Sequence, residues 1–96
     1  MKLALIGGEI ITPFRSVKNG TIVMQDGQIS DIGKASDVRI PDECEVIDVS
    51  GYVVTPGFVD LLVHGGGGRG FADTDPESIG IVADYFLRHG STTVLA

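Results

Sequence analysis

His64 and the four glycines after it are the residues of this 96-residue chain whose types and spacing could do chemistry. They follow the apolar run from Phe58 to Val63. An apolar run of strand length that ends in a polar side chain and glycines is typical of a buried strand that brings this side chain to a cavity edge. Because neutral imidazole is the commonest protein ligand of metal ions, His64 is a candidate metal ligand. A lone histidine at a strand end is more often a hydrogen-bonded structural residue, and both interpretations stay open.

The glycines Gly65, Gly66 and Gly67 are candidates for substrate binding, because glycine backbones can direct N–H groups at anions. Residues 65–70 also match a dinucleotide-binding pattern by letter, but that pattern should open directly into a helix, and here residues 71–75 intervene. The His-Gly-Gly-Gly string resembles the oxyanion-hole motif of esterases, which requires a Gly-x-Ser-x-Gly nucleophile elbow. These 96 residues contain no such elbow. A phosphate cradle and a tight loop with positive φ angles remain as interpretations, and the tight loop is favoured.

Three other polar residues have mainly structural interpretations. Asp60 lies among apolar neighbours, and a buried carboxylate needs partners, so we expect it to bond nearby backbone or to face a cavity. His89 precedes Gly90, which indicates a cation at a helix C-terminus. Cys44 has no second cysteine in the chain and no histidine near it in sequence, which argues against nucleophilic use.

Composition limits the partners. The chain carries 7 Lys and Arg against 13 Asp and Glu, a net charge of −6, and it has no basic stripe, so we expect no nucleic-acid binding. One cysteine cannot form an internal disulfide, and the N-terminal residues break at glycines before any signal-peptide core, so we expect a reducing, cytoplasmic setting. No apolar run approaches the roughly 20 residues that cross a bilayer.

The elements that position His64 begin with a β-rich segment. Asp-Gly at positions 26 and 27 between two alternating runs supplies the positive φ angles of a two-residue hairpin turn. Short strands with punctuating turns favour a layer of a sandwich or small barrel. The pattern predicts strands over 3–6, 9–12, 20–25, 28–32, 45–49 and 52–55, a loop over 14–19 and a surface connection over 33–45.

The pattern changes at Pro56, after which 40 residues follow. Residues 58–63 lack alternation and predict a strand covered on both faces, as parallel strands are. Asp75 predicts an N-cap, with Pro76 at the first helical position and a capping-box pair of Thr74 and Glu77. Gly90 ends the helix, and residues 91–96 form a second strand. The apolar stripe of this helix is predicted at Ile79, Val82, Ala83, Phe86 and Leu87.

The strand, helix and strand make one βαβ unit, which requires further strands and helices to cover its sheet. Unpaired parallel strands expose long edges, which natural proteins avoid. For the isolated chain we therefore expect oligomerisation, domain swapping or aggregation. A non-catalytic β module that pairs its open edges with itself or a partner is an alternative to an enzyme.

Together these segments resemble the amidohydrolase superfamily. Its members carry a G-x-I-x-x-I-G hairpin ending, matched here by residues 27–33, and enter a barrel through a Pro-Gly-Phe-[Ile/Val]-Asp-x-His-x-His strand, whose beginning and approach are matched by residues 46–60. The match spans nearly the whole chain. Residues 7–13, His64 with its glycines, 71–73 and 90–93 look most like the N-acetylglucosamine-6-phosphate deacetylases within the superfamily.

One departure affects the metal site that the resemblance implies. The first histidine of the family motif falls on Leu62, which cannot bind a metal, and the second falls on His64. The resemblance therefore implies the single-metal kind of enzyme, with His64 as an accessory ligand or a substrate-side hydrogen-bonding group. The divalent metal, zinc by expectation, would be held mainly by residues outside this chain, and no catalytic residue is assigned within it.

The resemblance implies an α/β plus β fold: N-terminal strands of a small β-sandwich (1–55), followed by the first β-α-β of a TIM-like (β/α)8 barrel (56–96), truncated. Such a barrel needs about 250 residues. We therefore expect an N-terminal fragment that is inert alone, from a parent enzyme that hydrolyses the N-acetyl group of an amino sugar phosphate and forms a homo-oligomer. A hydantoinase, a dihydroorotase or an N-acetylgalactosamine-6-phosphate deacetylase is the nearest alternative.

Overall fold

The computed structural model describes residues 1–73 and 75–95. Within these residues the chain is mostly β, with one helix and no closed barrel. Thr74 of the predicted capping box and Ala96 at the end of the last predicted strand lie outside the described residues. The chain divides into two compact units, which we call the β unit (Met1–Pro56) and the βαβ unit (Gly57–Ala96). The elements in chain order are β1 (Lys2–Ile11), β2 (Ser16–Gln25), β3 (Gln28–Lys34), β4 (Glu45–Asp48), β5 (Val53–Val54), β6 (Phe58–Asp60), β7 (Gly65–Gly66), β8 (Arg69–Gly70), α1 (Glu77–Arg88) and β9 (Ser91–Val94).

The β unit is one sheet, in which β1 lies between β2 on one side and β4 with β5 on the other. β2 is antiparallel to both β1 and β3, whereas β4 and β5 are parallel to β1. The described residues thus supply one sheet rather than two packed sheets. The sandwich therefore stays a prediction.

β1 is one strand, and the prediction of two runs separated by Gly7 and Gly8 was wrong. Gly7 adopts a φ of +85°, and the register with β2 shifts on both sides of Gly8. Such irregularities absorb an extra residue without ending a strand. The glycines therefore bend the strand instead of breaking it.

The predicted loop over 14–19 is shorter in the structure, because β2 begins at Ser16. The Oγ1 of Thr12 accepts the N–H groups of Phe14 at 3.3 Å and Arg15 at 3.0 Å. The N–H of Thr12 in turn donates to the carbonyl of Arg15 at 2.8 Å. One threonine side chain thus closes the turn, and the strand resumes earlier than polarity suggested.

The hairpin between β2 and β3 is confirmed. Gln25 pairs with Gln28, and Asp26 and Gly27 adopt φ angles of 52° and 78°. Two successive positive φ angles define the type I′ turn, whose twist matches that of the flanking strands.

Two apolar clusters form the core of the β unit. Val23 belongs to one cluster and Ile22 to the other, because successive side chains of a strand point to opposite faces. Val38 is buried in the first cluster at 8% exposure, so the predicted surface connection over 33–45 also covers one face of the sheet. The buried members are Ala4, Val23 and Val38 in the first cluster and Ile10, Val17 and Ile22 in the second.

In the βαβ unit, β6 and β9 form a parallel pair on either side of α1 in sequence, as predicted. β6 ends at Asp60 rather than Val63. Phe58 is 67% exposed and Val59 is 61% exposed, so the prediction of a strand covered on both faces was wrong for this unit. Two strands and one helix do not provide enough surface to cover both faces.

α1 begins at Glu77, whose N–H donates to the Asp75 carboxylate at 3.0 Å. Pro76 has helical dihedral angles, so Asp75 acts as the predicted cap although the helix begins one residue late. Ser78 and Val82 are fully buried. Ile79 is 59% exposed, and the predicted stripe was therefore rotated from the observed one.

Candidate functional site

The main chain at His64 is held on both sides by hydrogen bonds. The N–H of Val63 donates to the Leu95 carbonyl at 3.2 Å, and the His64 carbonyl accepts the N–H of Phe71 at 2.8 Å. Val63 is buried at 5% exposure, whereas His64 is exposed. This part of the βαβ unit thus presents an exposed imidazole from an anchored backbone.

Asp60 supports the segment just before His64. Its Oδ1 accepts the N–H of Leu62 at 3.2 Å, and its carbonyl accepts the N–H of Leu95 at 2.8 Å. The expected hydrogen bonding of Asp60 to nearby backbone is confirmed. Leu62 itself is 75% exposed and offers no donor atom for a metal.

Residues 65–70 form a miniature hairpin. Gly65 pairs with Gly70 and Gly66 pairs with Arg69 in an antiparallel ladder. Gly67 and Gly68 connect them with φ angles of 62° and 81°, which is the conformation of a type I′ turn. We call residues 65–70 the glycine hairpin. It is the tight loop with positive φ that the sequence favoured, and the assignment of Gly65, Gly66 and Gly67 to substrate stays a prediction.

The glycine hairpin lies against the middle of α1. A Cβ atom at Gly66 would be 2.5 Å from Cδ1 of Tyr85 and 3.2 Å from Cε2 of Phe86. At Gly67 it would be 3.3 Å from Cβ of Tyr85. The contact at Gly66 is too short for a side chain, so packing explains the glycine there, whereas at Gly67 the positive φ of 62° is the main reason for glycine.

Carboxylates tie the same hairpin to the start of α1. Asp73 accepts the N–H of Gly70 at 2.9 Å. The guanidinium of Arg69 lies 3.5 Å from the carboxylate of Asp75, both side chains being nearly half exposed. Because Asp75 already pairs with Arg69, the one cationic side chain of the hairpin, and Asp73 adds a second negative charge beside it, the arrangement does not favour a bound phosphate at this end.

His89 and Cys44 occupy structural positions. His89 follows α1 directly, as expected, and its ring lies 4.6 Å from that of Tyr85. Cys44 is half-buried against the first core cluster of the β unit. Sequence reasoning missed Tyr85, although the positions 78, 82, 85 and 89 have regular helical spacing. This face of the helix was not recognised from the sequence because its first residue, Ser78, is polar.

The described residues do not make a complete metal site. No group of three His, Cys, Asp or Glu side chains in residues 1–73 and 75–95 is arranged to hold a metal ion. Zinc in proteins takes at least three protein ligands, and His64 is one exposed imidazole. A metal at His64 would need ligands from elsewhere.

The β unit has a concave surface of its own. A cavity of about 440 Å³ there is lined by residues that include Lys2, Asp31 and Arg39. None of the predicted site residues lines it, and its charges are mixed in sign. It therefore does not extend the candidate site. In the part of the chain that the structure describes, no helix is long and apolar enough to span a bilayer.

Comparison with curated proteins finds dihydroorotases. The chain is 43% identical over 54 residues to the dihydroorotase of Mycobacterium tuberculosis, a match that covers 56% of this chain and 12% of the relative. It is 37% identical over 65 residues to that of Geobacter metallireducens, covering 67% of this chain and 15% of the relative. No protein-family model matches the chain.

Comparison with solved structures finds hydrolases over nearly the whole chain. The N-acetylglucosamine-6-phosphate deacetylase of Pasteurella multocida is 29% identical, with a TM-score of 0.84 over 99% of this chain. A deacetylase variant from Mycobacterium smegmatis, solved in complex with N-acetyl-D-glucosamine-6-phosphate, is 25% identical, with a TM-score of 0.79 over 99% of this chain.

These likenesses define a class. The deacetylase structures and the dihydroorotase relatives together support the amidohydrolase superfamily, a class of hydrolases. The particular member is not fixed by them, because the sequence relatives are dihydroorotases and the structural neighbours with TM-scores near 0.8 are deacetylases. The chain spans 12–15% of the length of the curated relatives and 24–25% of the deacetylase chains.

Proposed function

We propose that this chain is part of a deacetylase that hydrolyses the N-acetyl group of an amino sugar phosphate, with N-acetylglucosamine 6-phosphate as the substrate. The observation that carries the proposal is the extent of the match. The likeness to the P. multocida deacetylase covers 99% of the chain and so includes the βαβ unit with His64. The dihydroorotase matches cover 56–67%.

The reaction adds water across the acetamide C–N bond and yields acetate and the free amine of the sugar. In this proposal His64 supplies a hydrogen bond to the substrate or an accessory bond to a divalent metal, by expectation zinc. Gly65, Gly66 and Gly67 present main-chain groups to the substrate. We assign no catalytic residue within the chain, because the described carboxylates and histidines do not converge on one point.

The proposal extends to the setting of the enzyme. The units on either side of residue 56 would be the β-sandwich portion and the start of the hydrolase barrel. The parent enzyme would act in the cytoplasm as a homo-oligomer. The 96 residues alone would be inert, because a mechanism of this kind needs a base, an acid and a complete metal site.

Dihydroorotase is the second candidate, favoured by the 43% identity over 54 residues. It too is an amide hydrolase within the class supported above. The two candidates differ in the bond they hydrolyse, so an activity measurement separates them.

The test joins these 96 residues to the remainder of each relative. One chimera replaces the matched quarter of the P. multocida deacetylase, and the other replaces the matched segment of the M. tuberculosis dihydroorotase. We expect the deacetylase chimera to release acetate from N-acetylglucosamine 6-phosphate with a kcat/KM within about tenfold of the parent, and the dihydroorotase chimera to be inactive. The reverse result, with both chimeras folded by circular dichroism, would refute the proposal.

The contribution of His64 is tested in the active chimera. We expect His64→Ala to lower kcat/KM by about tenfold or more, since it removes a group near the reacting amide. Arg88→Ala is the control, because it removes a side chain of the βαβ unit that is 75% exposed and should change kcat/KM by less than about twofold. Equal losses in the two variants would assign His64 a structural role only.

A further inference from the structure

The glycine hairpin needs support beyond its own hydrogen bonds. Five of its six residues are glycine, which loses more conformational freedom on ordering than any other residue. Its ladder is only two residue pairs long, and a short isolated hairpin is marginal in water. Contacts with α1 must therefore contribute to its order.

Tyr85 provides the closest of these contacts. An added Cβ at Gly66 would be 2.5 Å from Cδ1 and 2.9 Å from Cε1 of Tyr85, so the backbone of the hairpin lies directly on the ring. The Tyr85 ring also lies beside two other rings of the helix: the His89 centroid is 4.6 Å away, and the Phe86 centroid is 5.6 Å away in a T-shaped arrangement. Tyr85 is 40% exposed, so one part of its ring faces solvent while another part packs against the hairpin backbone.

The base of the hairpin leads directly to His64. Gly65 pairs with Gly70, and the next interaction along the chain is the 2.8 Å hydrogen bond from the Phe71 N–H to the His64 carbonyl. The position of the hairpin thus sets one of the two main-chain anchors of His64. The other anchor, at Val63 and Leu95, belongs to the β6 and β9 side of the unit.

We infer that Tyr85 is a positioning residue. Its ring packs against the glycine hairpin and holds it in place, and this fixes the main chain that carries His64. The consequence for catalysis rests on the proposed function, in which His64 faces the substrate or metal. The packing itself does not depend on either. Tyr85 acts on His64 through Gly66 and the Phe71 hydrogen bond.

The test measures amide hydrogen exchange by NMR in the full 96-residue chain. We expect Tyr85→Ala to accelerate exchange of the Phe71 amide by about tenfold, because local opening of the hairpin releases this hydrogen bond. Tyr85→Phe keeps the ring and should restore wild-type exchange to within about twofold. The Leu95 amide, which donates to the Asp60 carbonyl at 2.8 Å, should be unchanged in both variants.

Two further variants test whether the effect is specific to the contact between Tyr85 and the hairpin. Ile79→Ala removes an exposed apolar side chain from the same helix and should leave the Phe71 amide unchanged. Gly66→Ala displaces the hairpin with the tyrosine intact, and should reproduce the Tyr85→Ala effect even where that variant folds poorly.

Unchanged Phe71 exchange in Tyr85→Ala and Gly66→Ala would overturn the inference. So would equal acceleration at Phe71 and Leu95 in both variants, since Tyr85 would then stabilise the whole unit rather than the hairpin. The measurement needs neither metal nor substrate. If the exchange data refute the role of Tyr85, the deacetylase proposal still stands. Inactive chimeras would refute the deacetylase proposal and would not change the exchange pattern.

Discussion

Ser50 donates two hydrogen bonds to one oxygen of Asp48, from its hydroxyl at 2.5 Å and from its N–H at 2.8 Å. Both hydrogen bonds lower the pKa of Asp48 below its usual value of 3.8, and the bond from the hydroxyl contributes more than the bond from the N–H. The loop that these bonds close leads from β4 to β5, and both strands pair with β1. The Asp48 carboxylate therefore helps to join the two halves of one sheet edge.

The lowered pKa of Asp48 predicts a pH dependence. A carboxyl with a depressed folded-state pKa contributes stability above its unfolded pKa, and loses it as the pH falls through the folded value. We expect the Ser50 amide shift in NMR to titrate with a midpoint below 3.8 and this titration to vanish in Asp48→Asn.

The same variant should destabilise the β unit in urea at pH 7 and much less at pH 2. Asp37→Asn, which changes an exposed carboxyl of the same unit, is the control. A midpoint at or above 3.8 for Ser50 would contradict the argument.

Gly7 should tolerate a side chain less well than Gly51. Both have positive φ angles, +85° and +83°, so alanine is strained at either position. A Cβ at Gly7 would also meet Ser50 Oγ and lie 3.3 Å from Asp48 Oδ1, whereas at Gly51 nothing lies within 4 Å. We expect Gly51→Ala to cost about 1 kcal/mol and Gly7→Ala about 2–3 kcal/mol in urea unfolding. Equal losses of unfolding free energy in the two variants would show that the loop with Asp48 and Ser50 moves aside without cost.

Val82 rather than Ile79 should carry the packing of α1. Val82 is fully buried and Ile79 is 59% exposed. We expect Val82→Ala to destabilise the βαβ unit by about 1–3 kcal/mol through the cavity it leaves, and Ile79→Ala by less than about 0.5 kcal/mol. Thermal unfolding followed by circular dichroism of the helix measures both. A larger effect at Ile79 than at Val82 would contradict this prediction.

Local chemistry could be predicted from the sequence, and long-range packing could not. Asp26 and Gly27 define their turn within two residues, so the hairpin was predictable. Leu5 and Ile47 pair in parallel across more than forty residues, and no local pattern states that β4 adds to β1. The helix stripe was predicted only in part: Val82 is buried as expected, whereas Ser78 is buried against local preference and Ile79 is exposed.

The candidate site also has residues that the sequence identifies and residues that only the fold identifies. His64 is identified by its place after an apolar run, and the glycines after it by their number. Tyr85 is identified only by the fold, because its role comes from contact with Gly66, 19 positions earlier in the chain.

The βαβ unit should associate when the chain is concentrated. Within the described residues β6 and β9 pair only with each other, so each has an edge without a strand partner. Val59 on β6 is 61% exposed, and apolar edges of this kind promote strand pairing between chains. We expect sedimentation velocity to show an oligomer fraction that grows with concentration and falls in Val59→Lys, because a charged edge side chain blocks pairing. Phe14→Ser, which removes a 96% exposed side chain from the β unit, is the control and should leave the oligomer fraction unchanged. A monodisperse monomer that unfolds cooperatively would contradict this expectation and favour a self-sufficient module.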